Sequence, residues 1–176
     1  FFVENINLKK LAKKFDTPLY CYSYEKLKKN VDSFKFHFDK LNPLICFAIK
    51  SNSNLSIIKE IKKLGLGADV VSKGELTQAL KAGINPKKIV FSGVGKSHSE
   101  LKYAIEKKIL LINSESKSEV MEIEKIAKEK NKIVDIGIRL NPSTDAKTLR
   151  KISTGKKGDK FGVDEKTFIE IVNYLK

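Results

Sequence analysis

The stretch ADVVSKGELTQAL, residues 68–80, runs an apolar, β-like segment straight into a serine and places a glutamate three positions later. Ser72 can accept a hydrogen bond from an orphan helix N–H while Glu75 reaches back, so a strand should end near residue 72 and a helix begin there. The same grammar recurs twice, with Ser97 and Glu100 after KIVFSG and with Ser116 and Glu119 after ILLIN. Two further β-like runs, ICFAIK (45–50) and IVDIGIRLN (133–141), stand before and after these three.

Between the runs, apolar residues recur at helical spacing: Leu55, Ile58, Ile61 and Leu64; Leu76, Ala79 and Leu80; Leu101, Ala104 and Ile105; Val120, Ile123 and Ala127. A last set, Phe168, Ile171, Val172 and Leu175, follows the fifth run. Each has one apolar face and one face of lysine and glutamate, the mark of a helix lying on a core. Gly65, Gly67 and Gly83 fall where a helix would end in a left-handed residue. Counting strand starts at Ile45, Ala68, Ile89, Leu110 and Val134 gives steps of 23, 21, 21 and 24 residues. A unit this short holds one strand, one helix and two tight loops, so the strands must be parallel and joined by helical crossovers.

Both an open doubly wound sheet and a (β/α) barrel satisfy that rule. The near-uniform step and the absence of a Gly-x-Gly-x-x-Gly turn favour the barrel. The predicted fold class is therefore α/β, the first five β/α units of a TIM-type (β/α)8 barrel. Five units would leave two strand edges and an apolar interior uncovered, so further chain or a second copy is expected to complete them.

Composition narrows the function. The 176 residues carry a net charge of +14, yet only Arg139 and Arg150 among the 35 basic residues are arginine. The lysines are scattered over every helical stretch, without the arginine forks and interleaved aromatics of a nucleic-acid surface, so no nucleic-acid partner is expected. No apolar run reaches the roughly 18 to 20 residues of a membrane span, and the opening FFVENINLKK has no leader-like pattern. No membrane partner is expected, and the protein is read as cytoplasmic. Cys21 and Cys46 are too few for a disulfide framework and have no metal-ligand spacing with His37 or His98, so no metal is expected. Cys46 reads as a small core residue, His98 as an exposed residue in a helix's first turn, and Tyr20, Tyr22 and Tyr24 as packing a strand.

In a barrel the chemistry sits at the C-terminal ends of the strands, and strand parity decides which side chains face inward there. In ICFAIK, the bulky Ile45, Phe47 and Ile49 suit the helix side, leaving Cys46, Ala48 and Lys50 inward with Lys50 at the rim. In VDIGIRLN, Ile136, Ile138 and Leu140 take the helix side and Asp135, Gly137 and Arg139 the interior. A rim lysine can form an imine with a carbonyl, and an inward arginine suits phosphate or carboxylate. One of 33 lysines falling at a strand end by chance, and an arginine in a rim salt bridge, explain the same pattern, and parity does not choose between them.

A wider set of blocks does. TPLYCYSYEKLKKNV, CFAIKSNSN, GLGADVVSKGEL, IVFSGVGKS, INSES, IRLNPSTDAKT and ISTGKKGDKFG together resemble, in order and spacing, the diaminopimelate decarboxylases. These are pyridoxal-phosphate enzymes with an alanine-racemase-like barrel. The resemblance implies pyridoxal 5'-phosphate as cofactor and an amino-acid substrate, whose amine displaces the lysine and whose α-carbon then loses carbon dioxide. It matches the cofactor lysine to Lys50, the cofactor-side acids to Asp69 and Glu75, the arginine to Arg139, and the lysine of the KFG stretch, on the substrate side, to Lys160.

Where the family usually reads His-Pro-Tyr, this chain has Leu149, Arg150 and Lys151, which leaves substrate preference open among diaminopimelate, ornithine, arginine and carboxynorspermidine. A non-catalytic pyridoxal-phosphate barrel is a further alternative. Residues 1–23 are expected to pair with a C-terminal β-rich domain and residues 24–176 to form the partial barrel. The family's stacking histidine, phosphate loop, pyridinium-facing glutamate and dimer-interface cysteine are expected beyond Lys176. The chain is accordingly expected to be the first part of an enzyme that is homodimeric at full length, and inactive alone.

Overall fold

The computed structural model describes residues 1–144, 155 and 161–176. Two compact units divide the chain at Pro43 and Leu44. In the N-terminal unit, strands β1 (Phe2–Val3) and β2 (Ile6–Asn7) pair antiparallel ahead of helices α1 (Leu8–Phe15) and α2 (Tyr24–Phe38). Glu4 fastens this unit, accepting from the Ser23 hydroxyl at 2.7 Å and from the Glu25 N–H at 2.8 Å. Tyr24 opens α2 behind a Ser23 N-cap, and the rings of Tyr20, Tyr22 and Tyr24 are exposed.

The second unit carries the repeating grammar. Strands β3 (Cys46–Ala48), β4 (Gly67–Val70), β5 (Ile89–Phe91), β6 (Leu111–Ser114) and β7 (Ile136–Ile138) form one parallel sheet in sequence order. Helices α3 (Leu55–Lys63), α4 (Lys73–Lys81), α5 (His98–Lys107) and α6 (Lys117–Glu129) make the crossovers, and α7 (Glu165–Leu175) follows β7. These are successive β/α units of a TIM-type barrel, in the predicted order and at nearly the predicted starts. Among the described residues, no helix is long and apolar enough to cross a membrane.

All three serine-marked helices start where expected, but only one of the three glutamates closes the full capping box. Ser97 and Glu100 close a full capping box at α5. Ser72 accepts from the Glu75 N–H, while Glu75 reaches one residue further back than expected, to the Val71 N–H at 2.9 Å. Ser116 accepts from the Glu119 N–H, but the Glu119 carboxylate turns away to the Lys96 ammonium at 2.7 Å. A buried cation competes for that carboxylate more strongly than an exposed backbone N–H.

The core lies between the sheet and its helices, with Ile49, Ala68, Val70, Ile89, Phe91 and Ile112 from the sheet meeting Ile58, Leu76, Ala79, Leu101, Ala104, Ile123 and Ile126. A second cluster of Val120, Val163 and Ile171 seats α7, with Phe168 and Ile138 against it. Gly65 and Gly83 hold the expected left-handed backbone at φ 85° and 84°. Gly67 does not: it opens β4, facing Cys46, where a Cβ would lie 2.2 Å from the Lys88 carbonyl oxygen and 2.9 Å from Cys46 Sγ. Its role is close approach between strands, a different use of the same residue. Gly67→Ala should therefore lower stability by about 1–3 kcal/mol through forced backbone displacement, seen as a lower urea midpoint; an unchanged midpoint would show that the strands separate freely there.

Candidate active site

Past the last rungs of the ladder, the side chains turned away from the helices meet in one cavity of about 680 Å³. Lys50, Asp69, Val71, Ser92, Asn113, Glu115, Arg139 and Phe161 contribute to its walls, with Gly93 and Val94 from the loop after β5. The strands deliver these groups together because their ladders are in step: Ala48 faces Asp69, Asp69 faces Val90, and Asn113 faces Gly137.

A row of polar groups crosses the cavity floor. Asn113 Nδ2 donates to Ser92 Oγ at 3.1 Å, and Ser92 Oγ donates to Asp69 Oδ1 at 2.7 Å. Gly137 completes the row by having no side chain, since a Cβ there would lie 2.4 Å from Asn113 Oδ1. Asp69 is thus held by a hydroxyl on the neighbouring strand and its carboxylate stays in the cavity. Cys46 lies one step below. Burial, reinforced by the Asp69 charge, raises its thiol above the ordinary 9.0, so it is not a thiolate nucleophile near neutral pH.

Lys50 departs from the strand geometry expected of it. The strand stops at Ala48, and Ile49–Ser51 form a 3-10 turn closed by the Asn52 N–H on the Ile49 carbonyl at 3.0 Å. Ser51 Oγ adds a bond to the Ala48 carbonyl at 2.7 Å. Ile49 is fully buried while Lys50 is exposed, so the turn preserves the in-and-out sense that parity required. None of the described residues makes a hydrogen bond or ion pair with the Lys50 ammonium.

Arg139, by contrast, is held. Its guanidinium donates to Glu115 Oε1 at 3.1 Å and lies over the Phe161 ring, 4.6 Å from the centroid. Glu115, with 4% of its side chain exposed, accepts on its other oxygen from the Gly162 N–H at 2.8 Å. One carboxylate therefore orients the arginine and ties down the backbone after Phe161. The salt-bridge reading of Arg139 and the cavity reading are both correct, because the bridge leaves the arginine in the wall.

Of the residues singled out from sequence, Lys50, Asp69 and Arg139 share this cavity. Glu75 stands behind it, bonding the backbone N–H of the lining residue Val71. Lys160, Leu149, Arg150 and Lys151 lie outside the described residues. Asp135 is not with its parity partners but lines a separate cavity with Lys87, Lys108 and Lys132, because it precedes β7 and so lies at the opposite end of the strand. Ser92, Asn113 and Glu115 were passed over; extending strand parity two residues past ILLIN would have marked Asn113 and Glu115 as inward.

At the carboxyl ends of the parallel strands the pocket thus holds a lysine with no partner among the described residues and a fixed arginine, the arrangement of a barrel-type site. The chain belongs to the pyridoxal-dependent decarboxylase family, whose pyridoxal-binding-domain model matches residues 24–175. Within it, the chain is 48% identical over 170 residues to the diaminopimelate decarboxylase of Helicobacter pylori strain J99, covering 97% of this chain and 42% of that protein. It is 43% identical to the enzyme of the same name from Neisseria meningitidis serogroup B, covering 98% and 42%. A crystal structure of the Helicobacter pylori enzyme complexed with L-lysine superposes with a TM-score of 0.92 at 46% identity, covering 96% of this chain and 43% of that one. The chain thus spans about 42% of the length of the curated relatives it matches.

The Glu115 clamp is directly testable. Glu115→Ala removes the acceptor of the Gly162 N–H, and exchange of that amide with solvent should accelerate about tenfold or more while amides of β4 stay protected. Unchanged exchange at Gly162 would mean that other contacts hold the segment.

Proposed function

We propose that the whole protein carrying this chain decarboxylates meso-2,6-diaminopimelate to L-lysine, using pyridoxal phosphate held in the cavity of Lys50, Asp69 and Arg139. The observation that carries this reading is the meeting of a lysine with no partner among the described residues and a clamped arginine in one 680 Å³ space, in a chain whose relatives bear that enzyme's name. The residues present fit the cofactor: a primary amine for its aldehyde, and cationic and hydroxyl donors for an anion and a ring oxygen.

When bound, pyridoxal phosphate supplies an aldehyde that captures amines and a cationic ring that accepts the electron pair left by departing carbon dioxide. The chain's own residues do the rest. Lys50 Nζ is the primary amine that would hold the cofactor's aldehyde carbon. Asp69 is held in place by its bond from Ser92 Oγ, and so presents a carboxylate at the cavity floor. Arg139 offers a fixed guanidinium to an anionic or oxygen acceptor, with no reorganisation needed because Glu115 and Phe161 already orient it. Glu75 supports the wall through Val71, and Lys160 serves the substrate side.

The same reading makes the whole protein a cytoplasmic homodimer, in which residues 1–23 pair with a β-rich domain. Carbon dioxide release from meso-diaminopimelate, ornithine, arginine and carboxynorspermidine tests it. The diaminopimelate kcat/KM should exceed the others by at least about a hundredfold. Preference for another substrate overturns the assignment, and cofactor binding with no release from any favours the non-catalytic barrel. Lys50→Ala should abolish the visible absorbance of bound pyridoxal phosphate, and an unchanged spectrum would remove Lys50 from its role.

A further inference from the structure

We infer that Lys96 and Glu119 are positioning residues, a buried ion pair that fixes the cavity wall made by Gly93, Val94 and Asn113 and thereby sets cofactor affinity without touching the ligand. The affinity part rests on the proposed pyridoxal-phosphate reading of that cavity; the ordering of the wall does not.

Lys96 is a second lysine of opposite character to Lys50. Its side chain is 1% exposed and that of Glu119 8%. An ammonium has three N–H donors, and here all three are met: the Gly93 carbonyl at 2.6 Å, the Asn113 carbonyl at 2.7 Å and Glu119 Oε1 at 2.7 Å. The Phe91 ring adds a cation–π contact at 5.6 Å. One nitrogen thus joins the loop after β5, the strand β6 and the first turn of α6, pieces of two neighbouring β/α units. Glu119 is itself anchored, since its N–H bonds Ser116 Oγ at 3.2 Å.

What the pair holds is the part of the wall least able to hold itself. Gly93 and Gly95 both take positive φ, 94° and 71°, so the loop follows a path available to many other glycine conformations. Neither glycine has a side chain to pack, and Val94 is exposed. On the other side, the bonded Asn113 carbonyl belongs to the residue whose amide starts the polar row to Ser92 and Asp69. A shift of the Lys96 nitrogen would therefore move the loop and the row together.

Energetics point to positioning over bulk stability. Exchanging a buried ion pair for apolar side chains of similar volume is often neutral or stabilising, whereas removing one partner strands a buried charge. A double replacement can consequently keep the fold and lose the alignment.

The test uses the double variant Lys96→Met with Glu119→Leu in the whole protein. The variant should still unfold in one cooperative urea transition, while amide exchange at Gly93 and Val94 in the cofactor-free protein rises about tenfold or more with the β4 amides still protected, and the pyridoxal-phosphate Kd weakens about tenfold or more. Wild-type exchange and affinity in the double variant overturn the inference, as does a lowered midpoint with exchange accelerated equally through every strand, which marks a purely structural pair. Should the double variant not fold, Lys96→Arg carries the same test. It keeps the charge and the Glu119 pairing but cannot place a single nitrogen among three acceptors, so loop exchange and Kd should rise while the β4 amides stay protected. A wild-type protein that binds no pyridoxal phosphate overturns the cavity reading, and the exchange measurement then decides the pair's hold on the loop by itself.

Discussion

The register of the parallel ladder is the constraint on which the rest of the structure depends. Side chains alternate along a strand, so a slip of one residue would exchange the two faces of the sheet. In the observed register Ala68 faces Ile89, Val70 faces Phe91 and Phe91 faces Ile112, and this set is buried against the helices. Asp69, Ser92, Asn113 and Gly137 then have to fall together on the opposite face. The hydrophobic core and the polar floor of the cavity are two consequences of one alignment. Close contacts enforce it locally: Gly67 admits the Lys88 carbonyl, and Gly137 admits the Asn113 amide.

Much of this is legible in the sequence. Serine followed three residues later by glutamate marked the starts of α4, α5 and α6, and the even step between apolar runs gave parallel strands in sequence order. Parity placed Lys50 and Arg139 on the cavity side correctly. Local pattern could not say where a carboxylate goes when it has two suitors. Glu75 and Glu119 occupy equivalent places in the motif, yet one bonds a backbone N–H behind the cavity and the other a buried ammonium from the preceding unit. That choice is made by residues 23 positions away in sequence, beyond the reach of a three-residue rule. Parity can mark Glu115 as inward, but not its two partners, Arg139 and Gly162, which lie 24 and 47 residues on.

The lysines show the limit most clearly. Lys50 and Lys96 each follow an apolar run and precede a serine, and composition gives no ground for separating them from the other lysines. In three dimensions they are opposites. Lys96 is enclosed with every donor satisfied, and so is committed to structure. Lys50 is exposed on a short turn with no hydrogen bond or ion pair to any described residue, and so is available for chemistry. A nucleophile must be presented and left unspent; a scaffold cation must be buried and saturated. The resemblance singled out Lys50, and this contrast in surroundings is what supports the proposal.

The central claim is that Lys50 alone, among 33 lysines, is the covalent anchor of a carbonyl cofactor. Borohydride reduction of the whole protein loaded with pyridoxal phosphate, followed by peptide mass spectrometry, tests it most directly. The account predicts one stoichiometric pyridoxyl adduct on the peptide containing Lys50, with Lys96 unmodified. A stoichiometric adduct on a different lysine, or adducts spread over many lysines with none dominant, would contradict it.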